Sequence, residues 1–374
     1  MARGFNPPMT SRLWRDRIVP RLTIPIFWVY WILLLPAGLI RGRKRETRST
    51  VAIESGRVGW THVYFEELWA SAAEYLTSER LRRVVIDRDR PYLPQFREWS
   101  ADTSLSHAVL DVRTGAQTWP RAMVDMLVVS WRLRRRRITP VVVLTDASLR
   151  RHRLQAAVVT AFDGVVVTFM AAELVAPMFP HRRIIGPLPM PVSASRLEQL
   201  TAIRRMSPTT GSNVSFIGGV YPPRSLFLER LEPLLARAGI RLHIHGSKYT
   251  TSNEDYWRVL ATSDVIVTTT MQGMPRQEMD WIWIQQLVFR FSEALAAGAV
   301  LVAPQVAGGE RFFAPGSDYA SFVSVEDAAR AITELVRDSH ARERVRVHGH
   351  ATGVQLSLSH TFWAVIDEAL KRRF

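Results

Sequence analysis

The residues best suited to chemistry lie in the second half of the chain. Arg290 and Glu293 stand three apart in RFSEALAAG, which puts a cation and a carboxylate within reach of each other on a helix. Gly298 ends that pattern. An apolar run from Ala299 to Ala303 follows, and then a loop holding Gly308, Gly309 and Glu310. The order reads as helix, glycine turn, buried strand, glycine loop. A glycine loop at the carboxyl end of such a strand lets backbone N–H groups approach a phosphate or a sugar with no Cβ in the way. An earlier stretch follows the same logic. Asn213 to Ile217 is a strand pattern, Gly218 and Gly219 end it, and Pro222, Pro223 and Arg224 open a helix. Exposed amides, a helix dipole and a guanidinium at one place suit an anion. Lys248, after the strand pattern Ile240 to His245, adds a second cation.

These residues need a frame to hold them. In the first half, short apolar runs alternate with helical patterns: Thr50 to Glu54, Val84 to Ile86, His107 to Leu110, Val141 to Leu144 and Val165 to Phe169 read as strands. Helical spacing fills His62 to Leu76, Arg121 to Arg134 and Leu149 to Thr160. Strands alternating with helices predict an α/β protein with parallel sheets covered on both faces. Three prolines between Ile185 and Pro191, and the polar run Met206 to Ser212, mark a break. The expected division is therefore a basic segment at 1–48, a Rossmann-like domain at 49–190, a linker at 191–212, a second Rossmann-like domain at 213–357, and a last helix from 358. Asp87 and Asp89 form a D-x-D after the second strand. Oxygen ligands of that kind suit a hard cation, but the pair reads better as polar groups at a strand end, for an acceptor. His243 and His245, two apart on one strand face with no third ligand evident, read as ordinary strand histidines.

Length and composition bound the rest. The 374 residues are 47% apolar and 22% charged, which suits two globular domains and excludes wholesale disorder. With no cysteine, disulfides and thiolate metal sites are impossible. The net charge of +15 is nearly all arginine, since only Lys44, Lys248 and Lys371 are lysines. Such a balance favours anionic partners: phosphates, acidic lipid head groups or nucleic acid. The run Arg132 to Arg137 lacks the interleaved aromatics of a base-stacking platform, so nucleic acid is not expected. From Leu22 to Ile40 there is no charge; those 19 residues would reach about 28 Å as a helix, enough to cross a bilayer's hydrocarbon layer. Pro25 and Pro36 keep a shallow in-plane anchor open. The denser basic cluster after the segment (Arg41, Arg43, Lys44, Arg45, Arg48) places the main body on the cytoplasmic side.

The motifs also carry a resemblance. R-x-x-E-A-L-A-A-G from Arg290, G-G-E from Gly308, F-x-P-G-x-D from Phe313 and F-x-G-x5-R ending at Arg224 resemble the nucleotide-sugar half of GT-B glycosyltransferases. The type is group 1, in the branch that includes spore-maturation-like glycosyltransferases, and the likeness covers residues 213–374. It implies two Rossmann-like domains facing across a cleft, with the final helix crossing back to the first. It implies that Arg224 faces the donor's diphosphate and that Glu293 accepts from ribose hydroxyls; Glu310, in the glycine loop, is placed to touch the sugar hydroxyls or the waters beside the phosphate. By the same resemblance His62, at a helix start after Gly56 and Gly59, would be the base that deprotonates the acceptor. The family's other carboxylate, eight positions before Glu293, is here Gln285, which puts the usual retaining mechanism in doubt.

The expected function is transfer of a sugar from a nucleotide diphosphate donor to a membrane-proximal, lipid-linked or glycan acceptor, with no metal or other cofactor. Three rivals are an exostosin-like transferase, a GT-B-shaped nucleotide-sugar epimerase, and a non-catalytic scaffold that binds anionic lipid. The sequence sets no oligomeric state.

Overall fold

The computed structural model describes residues 50–55, 63–79, 82–87, 93, 105–111, 119–144, 156–162, 164–179, 182–207, 212–220, 224–246, 253–270 and 286–371. The segment Leu22 to Ile40, His62, Lys248 and Gln285 fall outside them, as does the side chain of Asp87. Among the described residues no helix is long and apolar enough to cross a membrane.

Among the described residues the elements begin with β1 (Thr50–Ser55), α1 (Val63–Ser78), β2 (Arg82–Asp87), β3 (Leu105–Asp111), α2 (Trp119–Arg135), β4 (Thr139–Leu144), β5 (Val165–Thr168), the short α3 (Ala172–Val175) and β6 (Arg183–Ile185). Their strands form one sheet in the order β2-β1-β3-β4-β5-β6. The β1/β2, β1/β3 and β3/β4 pairs are parallel. All of TPVVVL in β4 and VVVT in β5 is buried, as continuous β-branched runs are when both faces of a sheet are covered. Helix α2, which links β3 to β4, buries Met126, Leu127, Val129 and Leu133.

The second half adds α4 (Ala194–Met206), β7 (Val214–Ile217), α5 (Arg224–Arg237), β8 (Leu242–His245), α6 (Asn253–Thr262), β9 (Val265–Val267), α7 (Arg290–Ala296), β10 (Val300–Pro304), β11 (Ala320–Phe322), α8 (Val325–Arg337), α9 (Ser339–Leu358) and α10 (Thr361–Lys371). Its sheet runs β11-β10-β9-β7-β8, every pair parallel. Alternation along the strands sorts the side chains into two cores. Val214, Phe216, Val265, Val267, Val300 and Val302 meet α5 and α8 on one face. Ile217, Ile266, Leu301 and Ala303 meet α4, α6 and α7 on the other. The result is a doubly wound sheet, as its sequence pattern predicts.

Two compact units result. One holds β1 to β4 with α2 and the start of β5; the other holds the second sheet with its helices, α1 and residues 167–177. The stretch 191–212 carries a packed helix. In α4, Leu197 and Leu200 are buried, and Arg204 Nη1 donates to the carbonyls of Ala261 (3.2 Å) and Ser263 (2.8 Å) at the end of α6. Apolar residues at helical spacing, more than the flanking prolines, decide where this segment goes. The final helix α10 returns to α1: Trp363 Nε1 donates to Ser71 Oγ at 3.1 Å, and Phe362 stacks on Phe169.

Helix α7 is short, and every residue in it is buried. A Schellman turn ends it, with Ala299 N–H bonded to Ala294 O, Gly298 N–H bonded to Leu295 O, and Gly298 at φ 71°. Helix α9 reaches α7 through Gly349 and Gly353. A Cβ on Gly353 would lie 2.7 Å from the Ala296 nitrogen, and one on Gly349 would lie 2.2 Å from Asp318 O. Neither neighbour is a flexible side chain. Gly353→Ala gains about 1 kcal/mol of helix propensity, and overpacking costs about 1–3 kcal/mol. We predict a net fall in stability, read as a lower urea midpoint with unchanged slope. A variant as stable as the parent would contradict this close packing.

Candidate functional site

In a doubly wound sheet the ligand crevice opens beyond the carboxyl ends of the strands, where the chain order reverses. Here that place is the end of β7, between β9 and β8. Gly218 follows β7 at φ 141° and Gly246 follows β8 at φ 143°, a backbone region open to glycine. The two strand ends pinch together: Gly218 N–H bonds His245 O at 3.0 Å, and a Cβ on Gly246 would lie 2.1 Å from Gly218 O. The bare edge of Gly218 is bordered by two guanidiniums. A Cβ there would sit 3.0 Å from Arg290 Nη2 and 3.7 Å from Arg224 Nη1.

Arg224 is the first residue of α5 and half-buried. Arg290 is the first residue of α7 and is 8% exposed. Its Nε donates to Ile217 O, the last carbonyl of β7, at 3.0 Å. Its Nη1 donates to the Tyr256 hydroxyl at 2.5 Å and to Glu293 Oε2 at 3.0 Å. Tyr256, in α6, also donates its own hydroxyl to Glu293 Oε2. Both bonds to Glu293 therefore fall on one oxygen; among the described residues none reaches Oε1. Burial pushes the Glu293 carboxyl up, while Arg290 and Tyr256 pull against it. The arrangement offers guanidinium N–H donors beside bare backbone, and a carboxylate oxygen for hydroxyl donors.

Sequence-predicted residues thus converge in part. Gly218, Arg224, Arg290 and Glu293 come together, and Gly219 follows Gly218 directly. The loop after β10 lies at the same carboxyl edge of the sheet. Gly308 is left-handed at φ 77° and abuts Pro187, its missing Cβ 2.9 Å from Pro187 Cδ. Arg311 pins this loop, donating to Gly308 O at 3.2 Å and Gly186 O at 3.3 Å. The Gly309 amide is already bonded to Val306 O at 2.9 Å, so it is not a donor for a ligand, contrary to the simplest reading of a glycine loop. Glu310 is exposed. His243 and His245 line a separate cavity with Ser212, Asn213, Ser215, Val259 and Thr262.

Two contributions escape sequence reasoning. Tyr256 looks like one more apolar position of an amphipathic helix, and only a buried hydroxyl's need for a partner hints at more. Thr269 and Thr270, just past β9, are fully buried, and their hydroxyls have no partner among the described residues. Orphaned buried hydroxyls at a strand's carboxyl end fit a site built for a polar ligand.

Residues 224–370 match the family model described as glycosyl transferase-like. HepE from Anabaena, solved with UDP and glucose, shares 13% identity over 87% of this chain and 100% of its own, at a TM-score of 0.50. Sucrose-phosphate synthase from Thermosynechococcus elongatus shares 13% identity over 87% of this chain and 99% of its own, at a TM-score of 0.51. No curated protein sequence matches the chain. Residues 224–370 are thus similar to the glycosyl transferase-like family, and the chain shares the α/β fold of HepE and sucrose-phosphate synthase.

Proposed function

We propose that the chain transfers a sugar from a nucleotide diphosphate donor to a membrane-proximal acceptor. The observation that carries this reading is the convergence of Arg224 and Arg290 on Gly218, with Glu293 bonded to the second of them. When the glycosidic bond breaks, charge develops on the departing diphosphate, and preorganised donors aimed there lower the barrier. In this reading Arg224 takes the diphosphate and Arg290 fixes Glu293. Glu293 Oε1 accepts from a donor hydroxyl. The guanidiniums supply the counter-charge, so no resident metal or other cofactor is part of the reading. Lys248 and Glu310 belong to the donor side. His62 is assigned as the acceptor's base, with Asp87, the last residue of β2, as the second candidate. UDP-glucose is the first donor to test, because HepE was solved with UDP and glucose.

Attachment to the cytoplasmic face of a membrane is proposed on the uncharged run Leu22 to Ile40 and its basic flanks. The arginines that end α2 (Arg132, Arg134 and Arg135) would add attraction to acidic head groups.

Three measurements test these assignments. Purified chain titrated with UDP should bind it, and Arg224→Ala should weaken binding about 10- to 100-fold, the loss of one charge-assisted hydrogen bond or two. Equal affinity in both would remove Arg224 from the site. Tyr256→Phe should slow donor consumption about tenfold or more, because it frees one side of the Glu293 carboxylate; an unchanged rate would make Tyr256 packing alone. Vesicles containing anionic lipid should sediment with the full chain, and a chain lacking residues 1–40 should largely stay in the supernatant. Equal sedimentation would disprove the anchor.

A further inference from the structure

One buried carboxylate is used by none of the roles above. Glu67 lies on α1 and is 3% exposed. Its Oε2 accepts from the amide (3.2 Å) and the hydroxyl (2.8 Å) of Ser193, the N-cap of α4. Its Oε1 accepts from Arg196 Nε at 2.8 Å. Two turns along the same face of α1, Glu74 accepts from the amides of Ala194 (2.7 Å) and Ser195 (3.3 Å). Both carboxylates hold the first turn of α4, where negative charge is stabilising. Among the described residues Glu74 does no more than this. Glu67 also grips Arg196.

Arg196 reaches further. Its guanidinium carbon sits 4.6 Å over the ring of Trp257, on α6. Trp257 is 2% exposed, and its Nε1 has no partner among the described residues, so packing and the cation above it hold the ring. Trp257 stands edge-on to Tyr256, with centroids 5.1 Å apart at 88°. Tyr256 is the residue whose hydroxyl meets both Arg290 and Glu293. Contacts thus run unbroken from α1 through α4 and α6 to α7. Glu67 also lies near enough to Glu293 for its charge to add to the burial that pushes that carboxyl up.

We propose that Glu67 and Arg196 are positioning residues for the donor site: they clamp Trp257, and so hold the Tyr256 hydroxyl where the Glu293 carboxylate needs it. The effect on catalysis rests on Glu293 being a donor contact; the mechanical link does not. Misplacing a catalytic contact by about 1 Å can cost about 100-fold, so a loosened clamp reads out as lost donor affinity or rate before the fold is lost.

The experiment compares Arg196→Met, Glu67→Gln, Tyr256→Phe and the double variant Arg196→Met/Tyr256→Phe in the full chain. Glu74→Gln serves as a capping-only control. UDP affinity and melting temperature are measured for each. We expect Arg196→Met and Glu67→Gln to weaken UDP about tenfold. The double variant should be no weaker than Tyr256→Phe alone, because both act on one carboxylate. Glu74→Gln should lower the melting temperature and leave affinity unchanged. Parental affinity in Arg196→Met, or losses that add in the double variant, would overturn the proposal. If the parent chain binds no UDP, the assignment of UDP as the donor nucleotide fails. The melting temperatures then decide the link: shifts that do not add support it, and shifts that add refute it.

Discussion

A guanidinium closed off from water at the end of a central strand governs this molecule's second half. Arg290 sits over the last carbonyl of β7 and is bonded at once to that carbonyl, to a tyrosine hydroxyl and to a carboxylate. Removing a charge pair from water costs several kcal/mol per ion, which is offset only when geometry is good and the remaining donors are satisfied. Here Nε and Nη1 are satisfied, by atoms from three separate elements. Such a cluster is weak evidence for stability as such; it specifies where α6, α7 and β7 must stand relative to one another. The surrounding packing serves that placement. Buried on every side, α7 is closed by a glycine turn and approached by α9 through two glycines that leave no room for a methyl group.

Much of this was legible from residue types. Unbroken β-branched runs such as VVVL and VVVT announced strands covered on both faces, and the RFSEALAAG pattern announced a helix ended by glycine. Gly298 does adopt the left-handed turn that the pattern calls for. Gly218 needed bare backbone, and the structure shows why: two arginines and a neighbouring strand end crowd it. Other features were invisible because they depend on distant partners. Nothing in NEDYWRVLAT says that Tyr256 will meet an arginine and a glutamate more than thirty residues away. Nor does Glu67, in an otherwise ordinary amphipathic helix, advertise that it will cap a helix 126 residues later. The glycine loop misled in one respect, since the Gly309 amide is spent inside the loop. Its glycines serve close packing against Pro187 and Leu287 as much as any ligand.

The chemistry follows from what the site offers. Guanidiniums keep their charge at any physiological pH and present forked donors, which match a diphosphate better than a point charge does. A carboxylate held by two donors on one oxygen leaves its other oxygen for a ligand's hydroxyl. The hydroxyls of Thr269 and Thr270, buried at the end of β9 with no partner among the described residues, fit the same polar guest. These features lie at one edge of one sheet, where the fold opens between strands running in opposite chain order.

The most direct test of the central claim is a crystal structure of the full chain with UDP bound. The account predicts density for the diphosphate within hydrogen-bonding distance of Arg224 beside Gly218, and a ligand hydroxyl on Glu293 Oε1. UDP bound elsewhere, or phosphates turned away from both arginines at full occupancy, would contradict it.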